Sequence, residues 1–158
     1  MIDLYLLLKW LHVLSATLLF GTGLGTAFQM WFAHRRGDPR AIAVVARNVV
    51  LADWLFTAPS GILQPITGAA LVVLGGHDWR QSWLLASIAL YLLAGALWLV
   101  VVWLQIRVRA MAEAAVDAGS TLPEAYERLM RLWFALGWPA FIGLVVVFWL
   151  MIARPELW

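Results

Sequence analysis

Lys9 and His12 stand three residues apart in the string Lys9-Trp10-Leu11-His12, inside an apolar run from Leu4 to Ala33. Residues at i and i+3 share a helix face, which puts the ammonium one turn from the imidazole. An ionisable group at membrane depth costs several kcal/mol unless it is paired, ligated or near the interface. Lys9 can snorkel toward water. His12 suits either an interhelical hydrogen bond or an axial bond to a metal. The partners that could meet it come from a second apolar run, where Thr57-Ala58-Pro59-Ser60-Gly61-Ile62-Leu63-Gln64-Pro65-Ile66-Thr67-Gly68 sets polar residues between prolines and glycines. Gln64 and Thr67, with Ser87 as an outlying member, are the candidates to form one polar layer with Lys9 and His12. A weaker set, Gln29, Arg47, Asn48, Asp53 and Gln105, falls nearer the opposite side. There Asp53 is expected to pair with Arg47, Arg107 or Arg109.

These residues are positioned by membrane helices. Of 158 residues, 64% are hydrophobic and 13% charged, with 11 tryptophans and no cysteine. A soluble domain is about 45–50% apolar and about 25% charged. A bilayer hides so much apolar surface directly, so the chain reads as an integral membrane protein. The lack of cysteine excludes disulfides and thiolate chemistry. The net charge of +2 does not point to nucleic acid, because the arginines are segregated between apolar runs.

Four spans are expected, at about 4–33, 48–75, 82–106 and 132–153. Each exceeds the ~20 residues that cross ~30 Å of hydrocarbon. The first lacks a basic flank and is too long for a signal peptide, so it reads as retained. Arg35, Arg36, Arg40 and Arg47 precede span two, and Arg107, Arg109, Arg128 and Arg131 lie between spans three and four. The positive-inside rule places those segments in the cytoplasm and both termini outside. The expected fold is an all-α, four-helix transmembrane bundle, N-out and C-out, forming one domain over 1–158 with its second helix broken by two prolines. The segment 107–131 reads as a cytoplasmic helical extension. Gly119 would stop it, and Thr121-Leu122-Pro123-Glu124 matches a capping box that starts the fourth helix. Trp10, Trp79, Trp83, Trp149 and Trp158 are expected at the outer interface, and Trp31 and Trp133 at the inner one. On this topology His12 lies roughly 9 Å to the outer side of the middle of its helix. Gln64 and Thr67 share that half.

Other motifs carry less. Gly21-Thr22-Gly23-Leu24-Gly25 lacks the strand and the lysine of a phosphate loop, and reads as a flat face for close helix approach. The glycines near 95 and from 137 to 143 are expected to serve tight packing. No Ser/His/Asp set, paired intramembrane carboxylates or HExxH motif is present. His34 lies about 33 Å from His12 along one helix, so the two cannot share a ligand. His77 falls in the outer loop, where exposure to solvent is expected. Met30, Met111 and Met130 sit toward the cytoplasmic side, leaving Met1 and Met151 outside, which disfavours copper handling.

Lys9-x-x-His12, the glycines that follow, the exit at His34-Arg35-Arg36 and the Thr-x-Pro then Gly pattern of span two resemble the first half of HemJ-type protoporphyrinogen oxidases. That family is related to the CopD-like group, and the resemblance implies b-type haem held by a histidine of the first helix. Over nearly the whole chain, Pro59-Ser60-Gly61-x-x-Gln64-Pro65-x-x-Gly68 and Gly137-Trp138-Pro139 to Arg154-Pro155 are similar to an uncharacterised bacterial family of predicted integral membrane proteins in that group. HemJ-type proteins carry a His and a Lys at the start of the third helix, where this chain reads Ser82-Trp83-Leu84-Leu85-Ala86-Ser87. Porphyrinogen oxidation therefore does not transfer with the resemblance. What it implies is a small protein of the bacterial inner membrane, b-haem-binding or redox-associated, with His12 on the iron, Lys9 beside a propionate, and Gln64 and Thr67 lining the pocket. The alternative is a non-enzymatic membrane subunit, or a binder of a quinone, lipid or metabolite without haem. Partners compatible with these readings are the lipid bilayer, a hydrophobic small molecule, a second copy or a membrane redox protein.

Overall fold

Helix boundaries follow local capping chemistry. In the computed structural model, which describes residues 3–158, α1 (Leu4–Arg36) opens on Asp3, whose carboxylate accepts from the Tyr5 N–H at 2.9 Å. It closes on Gly37, which adopts φ 68°. The next residue, Asp38, caps α2 (Pro39–Ala52) by accepting from the Arg40 N–H at 3.0 Å. Pro39 sits in the first turn, where its missing N–H breaks no helical bond. Gly-Asp-Pro thus ends one helix and begins another. As a result much of the arginine-bearing stretch 34–47, expected as a connection, forms the first turns of α2.

The second span is one helical path with a widened turn. α2 passes through a π-turn at Asp53–Thr57 into α3 (Ala58–Leu74), closed by the Ala58 N–H on the Asp53 carbonyl. A proline ring clashes with the carbonyl four residues back, here that of Leu55 for Pro59. The π-turn supplies the slack immediately upstream. Pro65 lies within α3 without ending it. The break expected at the prolines is therefore a single wide turn before Pro59.

α4 (Ser82–Asp117) continues past the apolar run as expected, and α5 spans Glu124–Ala153. α4 ends in a Schellman motif: Gly119 takes φ 59° while the Ser120 N–H bonds the Ala115 carbonyl at 2.9 Å. A left-handed residue with a Cβ costs roughly 1–2 kcal/mol. Gly119→Ala is accordingly expected to lower stability by about 1 kcal/mol in an SDS-unfolding titration. The capping box expected at Thr121 is not formed. Pro123 occupies the N-cap of α5, and no side chain caps it; its ring holds the extended backbone that a serine-type cap would otherwise stabilise.

α1 packs on α3, α4 on α5 and α2 on α4. The main core lies at the arginine-rich end, where Ala33, Ala43, Ala46 and Ala112 let helices close around Ile42, Leu104, Val108, Tyr126 and Met130. A smaller cluster of Val72, Trp83, Leu84 and Leu150 closes the other end. Ile62, Leu92, Leu99 and Ile152 face outward. All four spans are long and apolar enough to cross a membrane, and such outward side chains suit contact with lipid. At the arginine-rich surface Arg47 pairs with Glu113 at 3.0 Å, their side chains 65% and 30% exposed. An exposed pair is worth little, so Glu113→Gln is expected to change stability by less than about 1 kcal/mol in the same titration.

Several expectations about packing are revised. A Cβ added at Gly21, Gly23, Gly25, Gly95, Gly137 or Gly143 would meet nothing within 4 Å. Among the described residues these glycines therefore do not mediate close approach; alanines at the arginine-rich end and Gly68 of α3 do. Trp10, Trp79, Trp149, Trp158 and Trp31 are exposed as an interfacial belt requires, but Trp83 and Trp133 are buried core residues. The Arg154 guanidinium covers Trp83, 5.5 Å from its ring centroid. His77 is half-buried rather than exposed and packs edge-on against Trp83. Met1 lies outside the described residues.

Candidate functional site

The second span turns a polar face inward. Asp53, Thr57, Ser60, Gln64 and Thr67 recur at spacings of 4, 3, 4 and 3, and all are buried. That period keeps them on one side of the helix, so a polar seam runs along the second span. Freed or polar groups at membrane depth must be satisfied by protein. The seam shows how this is done, level by level.

At the end away from the arginines, α1 meets α3 through three hydrogen bonds. The Gln64 Nε2 donates to the His12 carbonyl at 2.7 Å and to Ser15 Oγ at 2.6 Å, and Ser15 Oγ in turn donates to the His12 carbonyl at 3.1 Å. His12 Nδ1 lies 2.8 Å from Thr67 Oγ1. The Thr67 hydroxyl has one proton, and it donates to the Leu63 carbonyl at 2.8 Å, with the Gln64 carbonyl at 3.2 Å. With that proton on the Leu63 carbonyl, Thr67 accepts from His12 Nδ1–H; with it on His12, Nδ1 is the acceptor. The first arrangement is the tautomer that leaves Nε2 with a free lone pair. Among the described residues, no hydrogen bond engages Nε2. Gly68 makes room for the ring: a Cβ there would stand 3.3 Å from His12 Cε1.

The expected polar layer is thus partly assembled. His12, Gln64 and Thr67 are in contact. Both amide hydrogens of Gln64 and the hydroxyl of Thr67 are engaged within the layer, so these side chains brace His12. Lys9 stands exposed one turn outward. Ser87 bonds back to the Trp83 carbonyl at 2.7 Å and takes no part. Ser15 belongs to the layer and was not anticipated, although its i+3 spacing from His12 carried the signal. Beside it, an apolar groove of about 210 Å³ between α1 and α3 is lined by Leu11, Leu14, Ser15, Phe56, Ser60 and Leu63.

One level inward, Pro65 removes the N–H that would bond the Gly61 carbonyl. The Tyr91 hydroxyl of α4 donates to that carbonyl at 2.6 Å. A neighbouring helix so replaces the bond that proline deletes. Farther inward, Asp53 is only 4% exposed, and it forms no ion pair among the described residues. The expected pairing with arginine is therefore not made: Arg47 and Arg109 both turn to Glu113. Instead Asp53 is surrounded by Thr57 and by Gln105 and Trp98 of α4. Sequence reading missed this cluster because it weighed charges by type, whereas the 4-3-4-3 spacing of polar residues was there to be read. His34, at the opposite end of α1 from His12, bonds the buried Tyr126 hydroxyl at 3.1 Å and lies 3.9 Å from Glu127, tying α1 to α5.

Among the described residues, no group of three or more His, Cys, Asp or Glu side chains converges as a metal site. Four membrane-length helices with a buried polar seam and one braced histidine define a multi-pass integral membrane protein. The sequence model of the family described as "Predicted integral membrane protein (DUF2269)" matches residues 6–155, and the chain belongs to that family. No curated protein and no solved structure matches it.

Proposed function

We propose that this protein binds b-type haem in the outer half of the bundle, in a bacterial inner membrane, with His12 Nε2 as axial ligand. The observation that carries the reading is the 2.8 Å contact of His12 Nδ1 with Thr67 Oγ1, which in the Nδ1–H tautomer leaves Nε2 unengaged at membrane depth. A ligating histidine characteristically donates its other N–H to a fixed acceptor, which orients the ring and raises its basicity. Lys9 stands one turn outward on the same face, where its ammonium would meet a propionate. Gln64 and Ser15 hold the backbone of His12 in place. The resemblance of Lys9-x-x-His12 to HemJ-type proteins points the same way. When bound, the haem would supply one-electron redox chemistry.

The apolar groove beside Ser15 and Ser60 favours a second reading, a hydrophobic molecule such as a quinone or lipid whose polar head reaches the seam. Absorption of the purified protein after haem supplementation separates the two. A Soret band that His12→Ala removes supports haem. A colourless, folded protein overturns it and leaves the groove. A band lost in His77→Ala but kept in His12→Ala moves the ligand to the outer loop.

A further inference from the structure

The inner end of the seam holds a carboxyl with no cation. Asp53, Thr57 and Gln105 are 4%, 5% and 5% exposed, and Asp53 Oδ2, Thr57 Oγ1, Gln105 Oε1 and Trp98 Nε1 are all buried without a hydrogen-bond partner. A buried polar group left unpaired calls for an explanation. The stretches 13–33, 54–76, 82–106 and 132–153 contain no Asp, Glu, Lys, Arg or His. The charged and titratable groups nearest along the packed elements are therefore Arg47 on α2, Arg107, Arg109 and Glu113 on α4, and His12 at the far end of the seam. Arg47 hydrogen-bonds Glu113, Arg109 Nε lies 3.6 Å from the same carboxylate without a hydrogen bond, and the Arg107 guanidinium lies 5.4 Å from the Trp103 ring centroid. Tyr91 is committed to the Gly61 carbonyl. Nothing beside Asp53 neutralises a carboxylate, and an isolated charge in so apolar a setting is strongly disfavoured.

We propose that Asp53 is a proton-binding site inside the membrane, carried as the neutral acid and exchanging its proton with the arginine-rich side. In the neutral form the carboxyl O–H donates to Gln105 Oε1, while Trp98 Nε1–H and the Thr57 hydroxyl supply donors for its carbonyl oxygen. All four unpartnered atoms are then accounted for by small side-chain adjustments. A route to water follows from spacing: Gln105, Arg109 and Glu113 stand at i, i+4 and i+8 on one face of α4. Glu113 borders a cavity of about 370 Å³ with Arg40 and Arg47 at that surface. Deprotonation gives the proton to a water entering along this face and leaves a carboxylate, so the site releases its proton only as it wets or as another positive charge arrives. The widened π-turn at Asp53–Thr57 is the element that can open, since such turns are local departures from the regular helix.

Infrared spectroscopy of the full chain in liposomes tests this directly. The other acids are exposed or, at Glu113, paired with Arg47, so at neutral pH only Asp53 should contribute a carboxylic-acid C=O band. The expected result is such a band, shifted in D2O and missing from Asp53→Asn. Its absence from the wild type, or its persistence in Asp53→Asn, overturns the proposal. Loss of the band on adding sodium chloride at fixed pH also overturns it, in favour of a metal cation. Should Asp53→Asn fail to fold, Gln105→Leu keeps the question open to measurement. Removing the acceptor should move the band to higher frequency, and an unmoved band rejects the arrangement.

Discussion

Thr67→Val is expected to weaken haem binding about 10- to 100-fold, and His12→Ala to abolish it. Both follow from one hydroxyl. When the Thr67 proton goes to the Leu63 carbonyl, its oxygen accepts from His12 Nδ1–H, and this keeps the proton off Nε2. Valine preserves the shape and the β-branch but removes the acceptor. The ring is then free to place its proton on either nitrogen and to rotate away from Gly68. Outer partners of a ligating histidine contribute to affinity on this scale. The measurement is a haem titration of each purified variant, followed at the Soret band, with helix content by circular dichroism as the control on folding. Equal affinity of Thr67→Val and wild type would reject the tautomer argument even if haem binds. A folded His12→Ala variant that still binds haem normally would reject the site.

Tyr91→Phe is expected to destabilise the fold by about 1–3 kcal/mol, the cost of stranding a buried acceptor. The acceptor is the Gly61 carbonyl, which Pro65 deprives of its helical donor and which the Tyr91 hydroxyl reaches at 2.6 Å. The backbones of α3 and α4 have no packing comparable to that of α1 with α3, so this long side chain is a principal bridge between them. The argument has a sharper form in a double-mutant cycle. Pro65→Ala restores an N–H that can bond Gly61 along the helix, and in that background Tyr91→Phe should cost less than about 1 kcal/mol. Strictly additive effects in SDS-unfolding titrations would mean that Tyr91 acts by packing rather than by satisfying the carbonyl.

The difference between what was legible and what was not is visible in these residues. Spans, helix ends and class are local matters. An apolar run longer than a bilayer, a helix stop at Gly119 and arginines gathered between runs are all statements about neighbouring residues, and the structure carries each of them, although the helix start read at Thr121 is not capped by a side chain. The histidine, its glutamine and its threonine were also legible, because polar residues in an apolar helix stand out one by one. Their roles were not. The hydrogen bonds of Gln64 and Thr67 to Ser15, the His12 carbonyl and Leu63 could not be read from their own stretch of sequence. Asp53 looked like half of an ion pair because its own helix and its neighbours carry arginines. Where a side chain on one helix stands against another depends on rotation and depth to within a few Å, and the π-turn resets both. Such offsets arise from packing among several helices and leave no mark on any single stretch of sequence.

Taken by itself, the amino-acid sequence determined that this is a four-span helical membrane protein with ionisable groups too costly to be accidental. That follows from the length of its apolar runs and the price of charge in hydrocarbon. Only the tertiary structure decided that His12 Nδ1 meets Thr67, that Tyr91 covers the gap left by Pro65, and that Asp53 forms no ion pair among the described residues. Each of those outcomes is a choice among partners on different helices. Hydrogen-bond geometry makes that choice, and it exists only once the helices are packed.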